Sequence, residues 1–245
     1  MNKDSFEFLV NEALGQEQYG WDFAFVEGRM IEAALSWDYP TLANEKLDRA
    51  SAAVDLCTGG GELLAAFDQR PEVMYATESY KPNLSIAKTR LDPCGVKVVS
   101  EHRELPDNAF DLILNRHGNY DIDELCRIAN PGAIFLTQQV GSENLIGLNE
   151  MLGSVVVAEA WNADIAGAQL LSKGFEILRC EEQKLSTRFM DIGAIVFYLK
   201  TVTWQVPDFD IERYAVPLNQ LHHQIESLGH LEVEAHRFLI EARRE

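Results

Sequence analysis

Apolar side chains recur at helical spacing along the first fifty residues. Phe6, Leu9, Val10, Ala13 and Leu14 form one stripe within residues 4 to 18, with Asp4 or Ser5 placed to cap it. Helical spacing continues from about Phe25 to Ser36 and from Leu42 to Arg49. The period then shortens. Short β-branched and apolar runs stand at 52 to 57 (AAVDLC), 73 to 78 (VMYATE), 96 to 101 (VKVVSE), 110 to 116 (FDLILNR) and 133 to 140 (AIFLTQQV). Helix-compatible pieces at 61 to 68, 82 to 91 and 121 to 129 separate them. Strands alternating with helices predict an α/β fold, a doubly wound and mostly parallel sheet, because right-handed crossovers leave few other arrangements.

Farther along, SKGFEILRCEEQKLSTRF reads as a helix end capped by Gly174 and then a sixth strand. HLEVEAHRFLIEARRE alternates as a last strand. Residues 190 to 229, which precede it, are too many for a hairpin loop. Within them MDIGAIVFYLKTVTW and DIERYAVPLNQLHHQIESL have helical spacing, broken by QVPDF, which predicts a helical lid over the substrate side. YGWDFAFVEGRM is expected to supply the other half of that cover, and His222 and His223 read as a solvated helix face. With no repeat or linker in sight, residues 1–245 are expected to form a single domain: a helical N-terminal cover (1–49), a core (50–141) and a helical insertion (190–229).

Charge narrows the partners. Lys and Arg total 21 against 39 Asp and Glu, a formal charge of -18, so the average surface repels phosphate backbones and anionic lipid. Nucleic acid is an unlikely partner, since no basic run exceeds Arg243-Arg244. No segment approaches membrane-spanning length, and the opening residues lack the apolar core of a signal peptide, so a soluble cytoplasmic protein is expected. Cys57, Cys94, Cys126 and Cys180 are scattered without C-x-x-C or His-partnered spacing. That pattern suggests free buried thiols and no metal site. Oligomeric state leaves no mark in the sequence.

Candidate chemistry concentrates in AAVDLCTGGGELLAAF, residues 52 to 67. The tripled glycine closes the first strand and opens the first helix, at the strand ends where ligands of such sheets bind and where backbone N–H groups are unpaired. A dinucleotide fingerprint started at Gly59 uses Gly61 but requires a third glycine where Leu64 stands, and fails there. The alternative pattern D-x-G-x-G-x-G fits as Asp55, Cys57, Gly59 and Gly61, with Cys57 replacing its first glycine. A cysteine carries a Cβ, so ordinary backbone angles are expected at that position.

In this form the stretch resembles the first motif of the class I S-adenosylmethionine-dependent methyltransferases. The resemblance extends over about residues 50 to 141, in the family's order. It implies a Rossmann-like methyltransferase fold with seven strands, the last antiparallel, and S-adenosyl-L-methionine as cofactor. Main chain around Cys57, Thr58, Gly59 and Gly61 would approach the methionine end, with Asp55 helping to hold its ammonium. Glu78, followed by Ser79, would accept from the ribose hydroxyls. Glu101 would accept from the adenine amino group and the backbone of His102 would pair with a ring nitrogen. Asn115, Arg116 and His117 fall on the rim where the family transfers its methyl group, which implies cofactor contacts for Asn115 and Arg116 and makes His117 a candidate general base. The "NRHG" there lacks the Asn/Asp-Pro-Pro-Tyr pattern of amide-nitrogen methyltransferases. "NPG" at 130 to 132 matches the family's turn before the fifth strand, and Gln138 and Gln139 at its end are expected to face the pocket. Trp21 is a candidate for the substrate pocket, whereas Trp161, Phe197, Tyr198 and Trp204 are expected in the core. The implied activity is methyl transfer to a nucleophile on a small molecule. RNA or protein acceptors, or cofactor binding without turnover, are the alternatives.

Overall fold

A computed structural model describes residues 5–17, 21–155 and 159–245. The chain opens with α1 (Phe6–Leu14), β1 (Met30–Glu32) and α2 (Tyr39–Leu47). A regular alternation follows: β2 (Ala52–Leu56), α3 (Glu62–Ala66), β3 (Val73–Thr77), α4 (Lys81–Leu91), β4 (Lys97–Val99), β5 (Phe110–Arg116), α5 (Ile122–Ile128) and β6 (Ala129–Val140). Then come α6 (Ile146–Leu152), α7 (Ala163–Ser172), β7 (Phe175–Phe189), α8 (Ile192–Thr201), α9 (Ala215–Leu228) and β8 (Leu231–Arg244).

The strands form one sheet in the order β1-β7-β8-β6-β5-β2-β3-β4. Strands β2 to β6 pair in parallel, and β8 runs antiparallel to β6. The expected seven strands are β2 to β8. An eighth, β1, pairs antiparallel with β7 through Met30↔Phe189, Ile31↔Arg188 and Glu32↔Thr187. This corrects the helix expected from Phe25 to Ser36. Only a single 3-10 turn forms, Ala24–Val26, because Gly28 takes a left-handed φ of 71° and the partner strand supplies the hydrogen bonds. At the N-terminal helix Ser5 is the cap, its Oγ accepting from the Phe8 amide at 3.4 Å. The alternative cap Asp4, the predicted helix end at residue 18, and Tyr19 and Gly20 of the cover segment lie outside the described residues.

The chain divides into two compact units. One comprises Ser36–Gly141, Ala160–Gln183 and Arg237–Glu245, and contains the parallel strands. Its central strand β5 is buried on both faces from Leu112 to Leu114, as the apolar run LIL requires of a parallel strand flanked by others. Phe110, Phe135 and Phe238 are fully buried in its core. Helix α7 is started by Asn162, whose side chain accepts from the Ile165 amide at 2.9 Å, and α5 by Asp121 in the same way.

The other unit draws on Met1–Leu35, Ser142–Glu159 and Lys184–His236. The N-terminal segment and the expected insertion therefore share one core. Helix α8 is buried from Ile192 through Leu199, as a helix apolar all round must be. Its cap, Asp191, also takes two 2.7 Å hydrogen bonds from Arg29, which reaches Glu12 at 3.0 Å. At the crossing of α1 and α8 a Cβ on Gly193 would stand 2.8 Å from the Leu9 carbonyl. His222 departs from the solvated face expected of it. It is 5% exposed because Phe6 covers its ring, with centroids 5.7 Å apart, while His223 remains exposed. The cysteines are less buried than expected: Cys180 is exposed and the other three are half-buried.

Candidate functional site

The glycine turn lies where expected, between β2 and α3. Thr58 N donates to the Thr77 carbonyl at 2.9 Å and Cys57 N to Thr77 Oγ1 at 3.0 Å, tying the turn to β3. Arg90 of α4 donates to the Gly60 carbonyl and pairs with Glu62. Neighbouring protein requires a glycine at position 61, where a Cβ would stand 2.8 Å from buried Leu91, whereas one on Gly60 would meet only the movable ends of Glu62 and Arg90. Gly59 and Gly61 both take left-handed φ angles, 65° and 79°. Cys57 does so as well, at 59°. The expectation of ordinary angles at Cys57 is thus overturned: the position keeps the glycine conformation despite its Cβ, which costs about 1–2 kcal/mol. The cysteine is wedged where β2 and β5 end. Its Sγ lies 3.3 Å from the Asn119 carbonyl, and its Cβ occupies the space a side chain on Gly118 would need.

Two acids converge on the same strand ends. Glu78, 7% exposed at the end of β3, accepts from the Tyr80 amide at 2.7 Å. Asp55 is half-buried, and burial raises its carboxyl to about 7 against the lowering influence of Thr58 and Arg116. Burial, then Glu78, then Asp55 push the Cys57 thiol up to about 11, so it is no nucleophile at neutral pH. Neither acid forms a salt bridge among the described residues. Ser79 beside them is exposed and Thr58 half-buried.

At the ends of β5 and β6 the polar side chains separate by face. Asn115 is fully buried, its Nδ2 donating to the Leu56 carbonyl at 3.0 Å and its Oδ1 accepting from Thr137 at 3.0 Å and from Gln139. Its amide joins β2, β5 and β6, so it positions the strand ends and is buried away from solvent. Gln139 also donates to the Gly118 carbonyl at 3.1 Å, while its neighbour Gln138 points the opposite way, as alternation demands. Both are buried, so the expectation that both face one pocket is corrected.

Gln138 links two rings. Its Oε1 accepts from Trp37 Nε1 at 2.8 Å, and its Nε2 lies 2.8 Å from His117 Nε2. An indole N–H only donates, so it fixes the amide orientation, and an amide NH2 only donates, so His117 Nε2 must accept. His117 is therefore neutral with its proton on Nδ1. The residue as a whole is exposed, at φ 59°, yet burial of the ring, then Arg116 and Arg237, hold the imidazole down to about 3. The hydrogen bonds demand the same neutral state independently. With its one lone pair occupied by Gln138, His117 is a donor in this arrangement and lacks the free acceptor that the general base expected of it would need. Arg116 is exposed, close enough to Asp55 and His117 to perturb both.

Beyond β4, Glu101 caps the turn His102–Glu104 and pairs with Arg103 at 2.5 Å. The His102 ring is lowered in pKa by burial, beside Glu124, Asp121 and Arg127 of the α5 region. Arg127 pins this loop, donating to the carbonyls of Leu105 at 2.8 Å and His102 at 3.0 Å and pairing with Asp107.

Trp21 belongs to the other unit. It is half-exposed, stacked on Phe23 and edge-on to Trp204, which is exposed rather than in the core. Phe197 and Tyr198 are buried there as expected, and Trp161 packs on Tyr120 and Phe238. Sequence reasoning missed Trp37 and Tyr39. Both are buried, and Tyr39 lies near Asp55, Arg116 and Asn115. The available signal was WDYP, two aromatic residues flanking the cap of the helix that leads into β2.

No protein-family model matches the sequence, and no curated protein aligns with it significantly. Solved structures do share its fold. The YcgJ protein of Bacillus subtilis is similar at 13% identity and TM-score 0.56, over 84% of this chain and 97% of its own. A SAM-dependent methyltransferase from Geobacter sulfurreducens, in complex with S-adenosyl-L-homocysteine, is 14% identical at TM-score 0.50, over 86% and 95%. The [4+2]-cyclase SpnF is 16% identical at TM-score 0.50, over 99% and 93%. At these identities the likeness is one of fold: a class I methyltransferase-like, Rossmann-like α/β sheet. Among the described residues no helix is long and apolar enough to cross a membrane.

Proposed function

We propose that the protein is an S-adenosylmethionine-dependent methyltransferase acting on a small molecule. The observation that carries this reading is a pair of acids at adjoining strand ends, half-buried Asp55 and buried Glu78, neither in a salt bridge among the described residues, beside a turn with left-handed residues at Cys57, Gly59 and Gly61. Buried carboxylates left without a counter-charge are costly. A ligand bringing an ammonium and paired hydroxyls would satisfy both, and bare main chain at the turn admits the ammonium-bearing tail closely. The residues present fit the cofactor on these grounds.

When bound, the cofactor supplies a methyl group already activated on a sulfonium. Glu78 would hold the ribose hydroxyls, with Ser79 beside it. Asp55 would hold the ammonium, and main chain from Cys57 to Gly61, including Thr58, the carboxylate. Glu101 and the His102 backbone would border the adenine. Positioning the nucleophile and excluding water would lower most of the barrier, so a strong base is not required. The loss of His117 as a base is compatible with that. The charge of -18 favours a small acceptor over RNA.

A cyclase shares the fold, so turnover and not binding is the deciding measurement. Isothermal titration should show S-adenosylmethionine and S-adenosylhomocysteine binding. Incubation with S-adenosylmethionine and a metabolite library should then produce S-adenosylhomocysteine together with a methylated product. Binding without conversion across a broad library would leave a cofactor-binding protein, and no binding would remove the proposal.

A further inference from the structure

His117 and Arg116 are not absorbed by the cofactor reading once the base role is gone. Two arginines, Arg116 and Arg237, act electrostatically on the His117 ring. In a chain with 39 acids and 21 bases this is a local exception, and such exceptions are where an anion can be admitted. The register brings them together: Arg116 of β5 opposes Gln138 of β6, and Arg237 of β8 opposes Val140. Trp37 aims the Gln138 amide, and Gln138 occupies His117 Nε2, which leaves the proton on Nδ1. Among the described residues, Nδ1 has no hydrogen-bond partner, and His117 is exposed. The left-handed backbone of His117 is the kind of strained conformation that surroundings must enforce, here at a strand end beside the turn.

We propose that His117 Nδ1–H and the Arg116 guanidinium form a subsite for a carboxylate on the methyl acceptor, with Trp37 and Gln138 as positioning residues that hold His117 in its donor tautomer. The name of the ligand rests on the methyltransferase reading; the tautomer of His117, set by Trp37 and Gln138, does not. A guanidinium that can swing toward a fixed N–H suits a two-oxygen anion. Gln138 on β6 bonds the ring, and the charged groups that act on it are Arg116 on β5 and Arg237 on β8; Arg116 also acts on Asp55 of β2. Asp55 is held near neutrality by burial, so it cancels Arg116 only in part.

The test uses 15N-labelled full-length protein saturated with S-adenosylhomocysteine, with acetate as probe. Long-range 1H–15N spectra should show His117 protonated at Nδ1 and bare at Nε2, unchanged from about pH 5 to 8. Acetate should shift the Nδ1 resonance saturably, and Arg116→Gln should weaken that binding at least about fivefold. Followed at the Arg116 Nε–H, acetate binding should survive in His117→Asn, which keeps an N–H donor and tolerates a left-handed backbone, and vanish in His117→Leu. A proton on Nε2, or a shift that does not saturate, overturns the proposal. So does acetate binding that occurs with adenosine bound but is abolished by S-adenosylhomocysteine, since the anion place would then belong to the cofactor's own tail. If S-adenosylhomocysteine itself fails to bind, the methyltransferase reading fails separately, and the tautomer and acetate titration are read on the free protein.

Discussion

Gly118→Ala tests whether Cys57 fills the gap between the ends of β2 and β5. The new methyl would overlap the Cys57 Cβ and stand 3.1 Å from both Cys57 Sγ and Asn115 Nδ2. Neither neighbour can yield: Cys57 sits on a constrained turn, and the Asn115 amide is committed to Leu56, Thr137 and Gln139. Overpacking of this kind costs about 1–3 kcal/mol. Cys57→Gly alone should be nearly neutral, because relief of about 1–2 kcal/mol of left-handed strain is set against about 0.5–1 kcal/mol of added backbone entropy. In that background the Gly118→Ala penalty should fall by about 1–2 kcal/mol, the coupling between the two sites, leaving only what the 3.1 Å approach to Asn115 Nδ2 costs. Urea unfolding of the four proteins reads the cycle, with Cys57→Ala as a control that keeps the Cβ and should not rescue. Additive effects, or rescue by alanine as complete as by glycine, would refute the argument.

Glu78→Ala should weaken S-adenosylhomocysteine binding at least about tenfold by isothermal titration; unchanged affinity would remove the ribose assignment. Asp55 has a folded value of about 7, above the ordinary value near 4. Its contribution to stability is therefore complete below about pH 4 and is lost as the pH rises through about 7. Stability curves of the native protein and Asp55→Asn should diverge across that window, and parallel curves would contradict the burial. Asp191→Ala removes the α8 cap and both 2.7 Å bonds from Arg29, and should destabilise the protein by about 2–3 kcal/mol in urea unfolding.

The parallel strands were legible because each is a short apolar run bounded by turn residues, and the strand-end positions of Asp55, Gly59 and Glu78 were legible with them, their roles being what the family resemblance implies. Three other features depend on partners distant in sequence. Strand β1 has three residues and an exposed Ile31, so its own pattern says little; β7 defines it, more than 150 residues later. His222 is buried only because Phe6 comes to lie on it. The state of His117 is set by Gln138 and the state of Gln138 by Trp37, 101 positions away. Local spacing could identify His117 as titratable but could not say which nitrogen was taken. Cys57 shows the reverse: its neighbours in sequence suggested a glycine pattern, and the backbone kept that pattern through the substitution.

Arg127 gives the far edge of the site a different mechanical character. One guanidinium ties down Leu105, His102 and Asp107 while its own helix holds it through Glu124. The segment after β4 is thus held in shape by the protein itself, so the docking of a base proposed there would forfeit little chain entropy. Under that proposal, discrimination on that side would fall to a rigid wall, which rejects a misfit by collision instead of by failing to close around it.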